Sequence, residues 1–205
     1  MLFLDEMPEF PRSALEALRE PLENGRITIS RAARQATFPA RFQLVAAMNP
    51  CPCGWLGAPA GLSKTCRCTP DAVARYQGKL SGPLLDRIDL QVEVLASSAA
   101  ELMALPDGES SAAVALRVAA ARQRQTDRQG QTNALLEAGQ IDAICQLDDA
   151  AARFVRSAAQ KLGWSGRRLH RCLKVARTIA DLAGSDTITT AHAAEALQLQ
   201  RVLSG

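Results

Sequence analysis

The 205-residue chain contains no Gly-x-x-x-x-Gly-Lys-Ser/Thr segment, so the glycine-rich loop and lysine that grip the β- and γ-phosphates of a nucleotide are absent from it. It has no stretch near the roughly 20 consecutive apolar residues of a membrane span, which excludes a membrane partner of that kind. Met1 is followed by Leu-Phe-Leu-Asp-Glu with no basic n-region, so no secretory signal is read and a cytoplasmic location is expected. A net charge of only +3 excludes a chain that binds polyanions over its whole surface, and any nucleic-acid contact must rest on local basic patches. Aromatics are scarce at 4%, while Ala and Leu are plentiful, which favours helices. No repeat is found at the spacings of solenoid or propeller proteins.

What is present suffices for one ample core or two small ones, with 47% hydrophobic residues. Residues 1–95 mix strand and helix patterns. Met1-Leu2-Phe3-Leu4 reads as a buried strand that stops at two adjacent carboxylates, Asp5 and Glu6. Ser13-Ala-Leu-Glu16 has capping-box spacing for a helix that Gly25 stops. Residues 27–30 read as a strand, residues 31–35 as a hairpin tip, and residues 41–48 as a return to the sheet. A loop with four cysteines follows over residues 50–68. Thr69-Pro70 is a good start for a helix, and residues 88–94 alternate as a half-exposed strand. From residue 96 the composition is helical only. Helices are expected over residues 111–129, after Asp148 with Ala151, Val155, Ala158 and Leu162 as its apolar stripe, and after Ser165 as far as Gly184. A last helix starts at Thr189. The fold class expected is α/β over residues 1–95 and all-α over residues 96–205.

Four groups of residues could carry chemistry. Two acids at the end of a buried strand suit an ATPase, the first holding Mg²⁺ against the phosphates and the second preparing the attacking water. Asn49 also follows an apolar strand, where its amide could orient a water; a local turn with Pro50 is the plain alternative. Arg87, in Ser81-Gly-Pro-Leu-Leu-Asp86-Arg87-Ile-Asp89, is either a surface ion pair or an arginine finger that steadies charge on a transferring phosphoryl group. Arg167 and Arg168 stand in the first turn of a helix, where cations oppose the macrodipole. That placement invites phosphate contact, against the alternative of a solvated basic face shared with Arg171, Lys174 and Arg177.

These segments, in this order, resemble the magnesium-chelatase-like AAA+ ATPases, in particular the YifB/ComM group. Leu-Phe-Leu-Asp5-Glu6 is similar to a Walker B strand, Ala-Ala-Met-Asn49-Pro-Cys-Pro-Cys-Gly to a sensor 1 strand, the Arg87 segment to the arginine-finger region, and Ser165-Gly-Arg167 with the helix after it to sensor 2. The resemblance covers nearly the whole chain. It implies the C-terminal half of a AAA+ αβα core, supplying strands 3, 4 and 5 with the hairpin before sensor 1, followed by a helical lid. It further implies ATP and Mg²⁺ as cofactors, with Asp5 holding Mg²⁺, Glu6 as catalytic base and Asn49 positioning water. Arg87 would reach a neighbouring subunit's nucleotide, and Arg167 would touch the γ-phosphate. Members of the group form homo-oligomeric rings, usually hexamers, and ComM-type members drive branch migration of DNA during natural transformation. The hairpin would project into the ring pore, carrying Arg31 and Arg34 with Arg41 nearby, a set suited to sequence-independent phosphate contact. The chain, starting at Walker B, is expected to be the C-terminal part of a longer protein and to be inactive as an ATPase by itself.

Cys51-Pro-Cys53 and Cys66-Arg-Cys68 bring four thiols onto a loop rich in Gly and Pro. Tetrahedral sulfur favours structural Zn²⁺, and a loop with so little apolar content would struggle to order itself without a metal or a covering partner. Reduced, unliganded thiols are the alternative. Cys145 and Cys172 fall on apolar helical positions and are expected in the core. Two other functions remain open at this level. One is a magnesium chelatase subunit. The other is a non-enzymatic, zinc-containing module that binds nucleic acid or a partner ATPase.

Overall fold

A computed structural model of the chain describes residues 1–31, 34–58, 64–95, 103 and 108–200. It divides into two compact units, one built chiefly on Met1–Ile88 and the other joining Asp89–Glu93 to the helices that follow residue 108.

In the first unit, strand β1 (Leu2–Leu4) lies parallel to β4 (Leu44–Ala46), paired Leu2↔Leu44, Phe3↔Val45 and Leu4↔Ala46. Strands β2 (Arg26–Arg31) and β3 (Arg34–Pro39) form a separate antiparallel hairpin closed by the Arg31↔Arg34 pair. Between β1 and β2 run a 3₁₀ turn (Met7–Glu9) and two short helices, α1 (Arg12–Ala17) and α2 (Arg19–Asn24). The capping box expected at Ser13 does not form. Pro11 occupies the cap position and offers no side-chain bond, so Ser13 lies inside α1. The single helix expected here is broken at Leu18, because Pro21 has no N–H with which to continue the α1 ladder into α2. Gly25 ends α2 as expected, in the left-handed conformation at φ 65°.

Helices α3 (Pro70–Gln77) and α4 (Gly82–Leu85) are capped by the hydroxyls of Thr69 and Ser81. Buried Leu4, Met7, Leu15, Leu80 and Leu84 form this unit's core, with Leu22, Met48 and Ile88 packed against it. Each such side chain contributes on the order of 1.5–3 kcal/mol when fully buried.

The strand expected over residues 88–94 does not form. Residues 88–95 carry no sheet pairing among the described residues, and Leu90, Val92 and Val94 are exposed. Alternation gives a strand one apolar face, but a ladder needs a neighbour to receive its N–H and C=O groups. Here the Gln91 N–H bonds instead to the Leu199 carbonyl at 2.6 Å.

The second unit is all-helical: α5 (Ser111–Gln129), a 3₁₀ turn (Asn133–Leu135), α6 (Ala138–Ile144), α7 (Asp149–Lys161), α8 (Gly166–Ala183) and α9 (Thr190–Gln198). Ser110, Asp148 and Ser165 cap their helices through side-chain oxygens, and Gly184 at φ 71° ends α8. The core gathers Leu136, Ile141, Val155, Leu173, Ala176, Ala180 and Ile188, with Cys145 and Cys172 buried among them as expected. Burial pushes both of those thiols up to about 11, which keeps them protonated and inert at neutral pH. The expected stripe on α7 holds at Ala151 and Val155, but Leu162 is 41% exposed, and Phe154 packs on the core instead.

Arg177 is not part of a solvated basic face. It is 1% exposed, as is Asp181 one turn later. Arg177 Nε donates to Asp181 Oδ1 at 3.1 Å, and its Nη atoms donate to the Asp186 and Ser185 carbonyls. Asp181 also accepts from Arg128 Nη1 at 2.6 Å, from Arg128 Nη2 at 3.0 Å and from Asn133 Nδ2 at 2.8 Å. Burial alone would raise the Asp181 pKa, but these donors and the Arg177 and Arg128 charges outweigh it and hold the carboxyl below its usual value.

A buried charge stripped of its partner is costly, so Asp181→Ala is expected to remove about 3–5 kcal/mol from the helical unit in urea unfolding. A loss below about 1 kcal/mol would show the network to be dispensable. The sign with pH follows from a folded pKa below the unfolded value of about 3.9. The carboxylate's contribution is full above about pH 4 and is lost as acid brings the pH down through the folded pKa.

Candidate functional site

Parallel pairing of β1 and β4 delivers both chain exits to one edge. Beyond the strands, the Ala47 N–H bonds to the Leu4 carbonyl at 2.9 Å and the Met7 N–H to the Ala47 carbonyl at 2.9 Å. Asp5 and Glu6 are therefore looped out between two residues that bond to Ala47, two positions before Asn49. All three side chains are exposed. Glu6 has φ 49° and ψ 46°, the single non-glycine residue with positive φ among the described residues. A left-handed conformation costs a side-chain-bearing residue about 1–2 kcal/mol. The Glu6 N–H is taken up by Asp5 Oδ1 at 3.0 Å, so one acid braces the other.

Asn49 lies beside α3. Tyr76 on α3 is buried, and burial, with Glu9 and Glu6 nearby, raises its phenol above its ordinary value. Gln77 Nε2 donates to the Pro50 carbonyl at 2.9 Å. Neither Tyr76 nor Gln77 stood out in the sequence. The available signal was that Tyr76 is the chain's one tyrosine.

Arg87 is held within its own unit, in an ion pair with Glu23 at the end of α2 and a 2.6 Å bond from Nη1 to the Pro83 carbonyl. Arg167 is exposed in the first turn of α8, as expected. Its neighbour Arg168 donates to the Gln200 carbonyl at 3.0 Å and stacks over Trp164 at 5.5 Å. Arg34 is exposed on the hairpin, and Arg41 is exposed with its stem lying across Gly25. Arg31 ends β2, and its side chain lies outside the described part of the structure.

The four thiols of Cys51, Cys53, Cys66 and Cys68 all lie within 4.8 Å of one another. The Sγ atoms of Cys51 and Cys53 are 3.4 Å apart, and those of Cys51 and Cys66 and of Cys53 and Cys66 are each 3.7 Å apart. A zinc–sulfur bond of about 2.3 Å gives a tetrahedron with edges of about 3.8 Å. The spacings among Cys51, Cys53 and Cys66 are close to that edge, and with Cys68 within 4.8 Å the four thiols could close on a soft divalent ion such as Zn²⁺. The backbone N–H groups of Arg67 and Trp55 bring Cys53 down to about 6, while the hydrogen bond with Cys53 pushes Cys68 up to about 12. One thiolate is thus in place at neutral pH, and metal entry would expel the remaining protons.

Two family models match the chain: the one described as magnesium chelatase, subunit ChlI, over residues 1–102, and the one for the ChlI C-terminal region over residues 108–200. Competence protein ComM of Haemophilus influenzae is 49% identical over 198 residues, covering 96% of this chain and 38% of the relative. YifB of Escherichia coli, an uncharacterized protein, is 47% identical over 203 residues, covering 98% and 39%. An uncharacterized protein of Mycobacterium bovis is 42% identical over 205 residues. The chain thus spans about two fifths of the length of the curated relatives it matches. No helix among the described residues is long and apolar enough to cross a membrane.

Titration of the reduced chain with Co²⁺ is expected to give thiolate charge-transfer absorption that saturates at one ion per chain and disappears in a Cys51→Ser, Cys66→Ser variant. Affinity is expected to fall as the pH is lowered, because protons compete for the thiolates, and to fall more steeply below about 6, where Cys53 also regains its proton. Absence of the band from a chain with all four loop thiols titratable would remove the metal site.

Proposed function

Since the chain belongs to the magnesium chelatase ChlI family, with ComM and YifB among its relatives, we propose that it forms the Walker B, sensor and lid portion of a ring-forming AAA+ ATPase that remodels DNA. The observation that carries this reading is the parallel β1–β4 pair, which sends Asp5, Glu6 and Asn49 out of one sheet edge. Mg²⁺ held there would supply positive charge against the nucleotide phosphates. Asp5 is the residue to hold it. The Glu6 carboxylate accepts the proton of the attacking water, and the Asn49 amide orients that water. Arg87 supplies positive charge to a neighbouring protomer's site once it leaves Glu23, and Arg167 supplies it from the first turn of the lid helix. Exposed Arg34 and Arg41, with Arg31 at the end of β2, are the candidate contacts to a DNA backbone lining a hexamer's pore. The cysteine cluster holds Zn²⁺ in a structural role.

The name of the Haemophilus relative ties that protein to competence, which favours branch migration of incoming DNA as the work done. A magnesium chelatase subunit is the second reading, favoured by the description of the family models. DNA-stimulated turnover separates the two.

The test is a chimera in which the segment of Haemophilus ComM that precedes the matched region is fused before Met1. Magnesium-dependent ATP hydrolysis, stimulated by DNA and lowered at least about 100-fold by Glu6→Gln, is expected. The isolated chain, without a phosphate loop, is expected to turn over no ATP. Hydrolysis by the chimera that is indifferent to Glu6→Gln would overturn the assignment of the base, and hydrolysis indifferent to DNA would overturn the DNA-remodelling reading.

A further inference from the structure

The β2–β3 hairpin turns its apolar side away from the body of its unit. In an antiparallel pair, residues directly opposite each other share a face. The register puts Thr28 with Thr37 and Ser30 with Gln35 on one face, and Ile27 with Phe38 and Ile29 with Ala36 on the other. The polar face is the one that meets α2: Thr28 Oγ1 donates to Glu20 Oε1 at 3.0 Å and lies 3.5 Å from Thr37 Oγ1. The opposite face is left to solvent. Phe38 is 49% exposed, Ile29 is 47% exposed and Ala36 is exposed beside them, while Ile27 is half-buried. This reverses the ordinary polar-out arrangement of an antiparallel ribbon. No third strand joins the hairpin among the described residues, so its apolar face is uncovered.

Charge selects what covers that face. From Asn24 to Pro70 the sequence contains no Asp or Glu, whereas Arg26, Arg31, Arg34 and Arg41 all fall in the first part of that stretch. Arg34 is exposed and, by strand alternation with Ala36 and Phe38, lies on the apolar face. A second copy of the hairpin would set like charges against each other. A polyanion matches the charge. A duplex keeps its bases stacked inside and leaves the Phe38 ring nothing to lie against, whereas a single strand offers phosphates and bare base faces together. We propose that the open face of the β2–β3 hairpin binds single-stranded nucleic acid. Phe38 stacks on a base, Ile29 packs beside it, and Arg34 meets a phosphate about 13 Å along the strand. Every base has a π face, so the contact is indifferent to sequence. This rests on the reading of the hairpin arginines as contacts to a DNA backbone, and it narrows that reading to one form of the polymer.

The test uses the whole chain and the fluorescence anisotropy of three labelled probes. They are an oligothymidylate of about 16 nucleotides, a duplex of the same length and a base-free sugar–phosphate strand of that length. The oligothymidylate is expected to bind tightest, with affinity falling as salt rises. Phe38→Ala is expected to weaken its binding about tenfold and to leave the base-free strand unaffected, and Phe38→Tyr to keep the wild-type affinity. Arg34→Ala is expected to weaken all three probes, and Gln35→Ala, on the polar face, to change none. Equal loss by Phe38→Ala on the base-bearing and base-free strands would mark a structural role for the ring and overturn the proposal. So would duplex binding as tight as single-strand binding and indifferent to Phe38→Ala, a result that leaves the backbone-contact reading standing. Absence of salt-dependent binding to every probe would overturn both. Two other occupants have their own signatures. A dimer in sedimentation equilibrium that Phe38→Ala dissociates points to a second copy on this face. Loss of the Phe38→Ala effect in the chimera with the Haemophilus ComM segment points to cover by the rest of the longer protein. Either result overturns the proposal.

Discussion

The parallel hydrogen-bonded pairing of two three-residue strands is the constraint on which the candidate site depends. Parallel strands share a direction, so whatever follows each of them emerges on the same side. That is how two acids at residues 5 and 6 and an amide at residue 49 come to one edge despite their separation in sequence. A one-residue slip of the register would reverse the faces of Phe3 and Leu4, burying the first and exposing the second. The Leu4, Met7, Leu15 and Leu84 core stands against such a slip, and the site inherits its geometry from that apolar packing.

The cysteine loop is ordered on a different basis. With little apolar surface to bury, its described part relies on the turn at Gly54, on the approach of four sulfurs and on the hydrogen bond from Gln77 of α3 to the Pro50 carbonyl. The helical unit uses a third strategy. Its buried Arg177–Asp181–Arg128 network is satisfied by carbonyls and by Asn133, so charges sit in the interior without leaving a donor stranded.

Local signals in the sequence were reliable where the physics is local. Thr69, Asp148 and Ser165 cap helices as their side chains require, and Gly25 and Gly184 end them with positive φ. The acid-bearing strand, the hairpin and the clustering of the four thiols were likewise legible. What was not legible depends on partners distant in sequence. Residues 88–94 alternate like a strand, yet alternation cannot say whether a neighbouring strand is there. Arg177 reads from the sequence as one of a solvated basic face with Arg171 and Lys174. The overlooked sign was that Arg177 falls within the arc of Leu173, Ala176 and Ala180. The bond from Gln77 Nε2 to the Pro50 carbonyl is a contact across 27 positions, with no periodicity to announce it.

The left-handed backbone at Glu6 makes that residue a small loaded spring. Its conformation persists only while the bonds from Leu4 and Met7 to Ala47 clamp it on either side. If the two strands part, residue 6 relaxes toward ordinary dihedrals and its carboxylate swings off its present bearing. Integrity of the sheet and aim of the acid are thus one variable, and damage remote from the edge that loosens β4 would register there first.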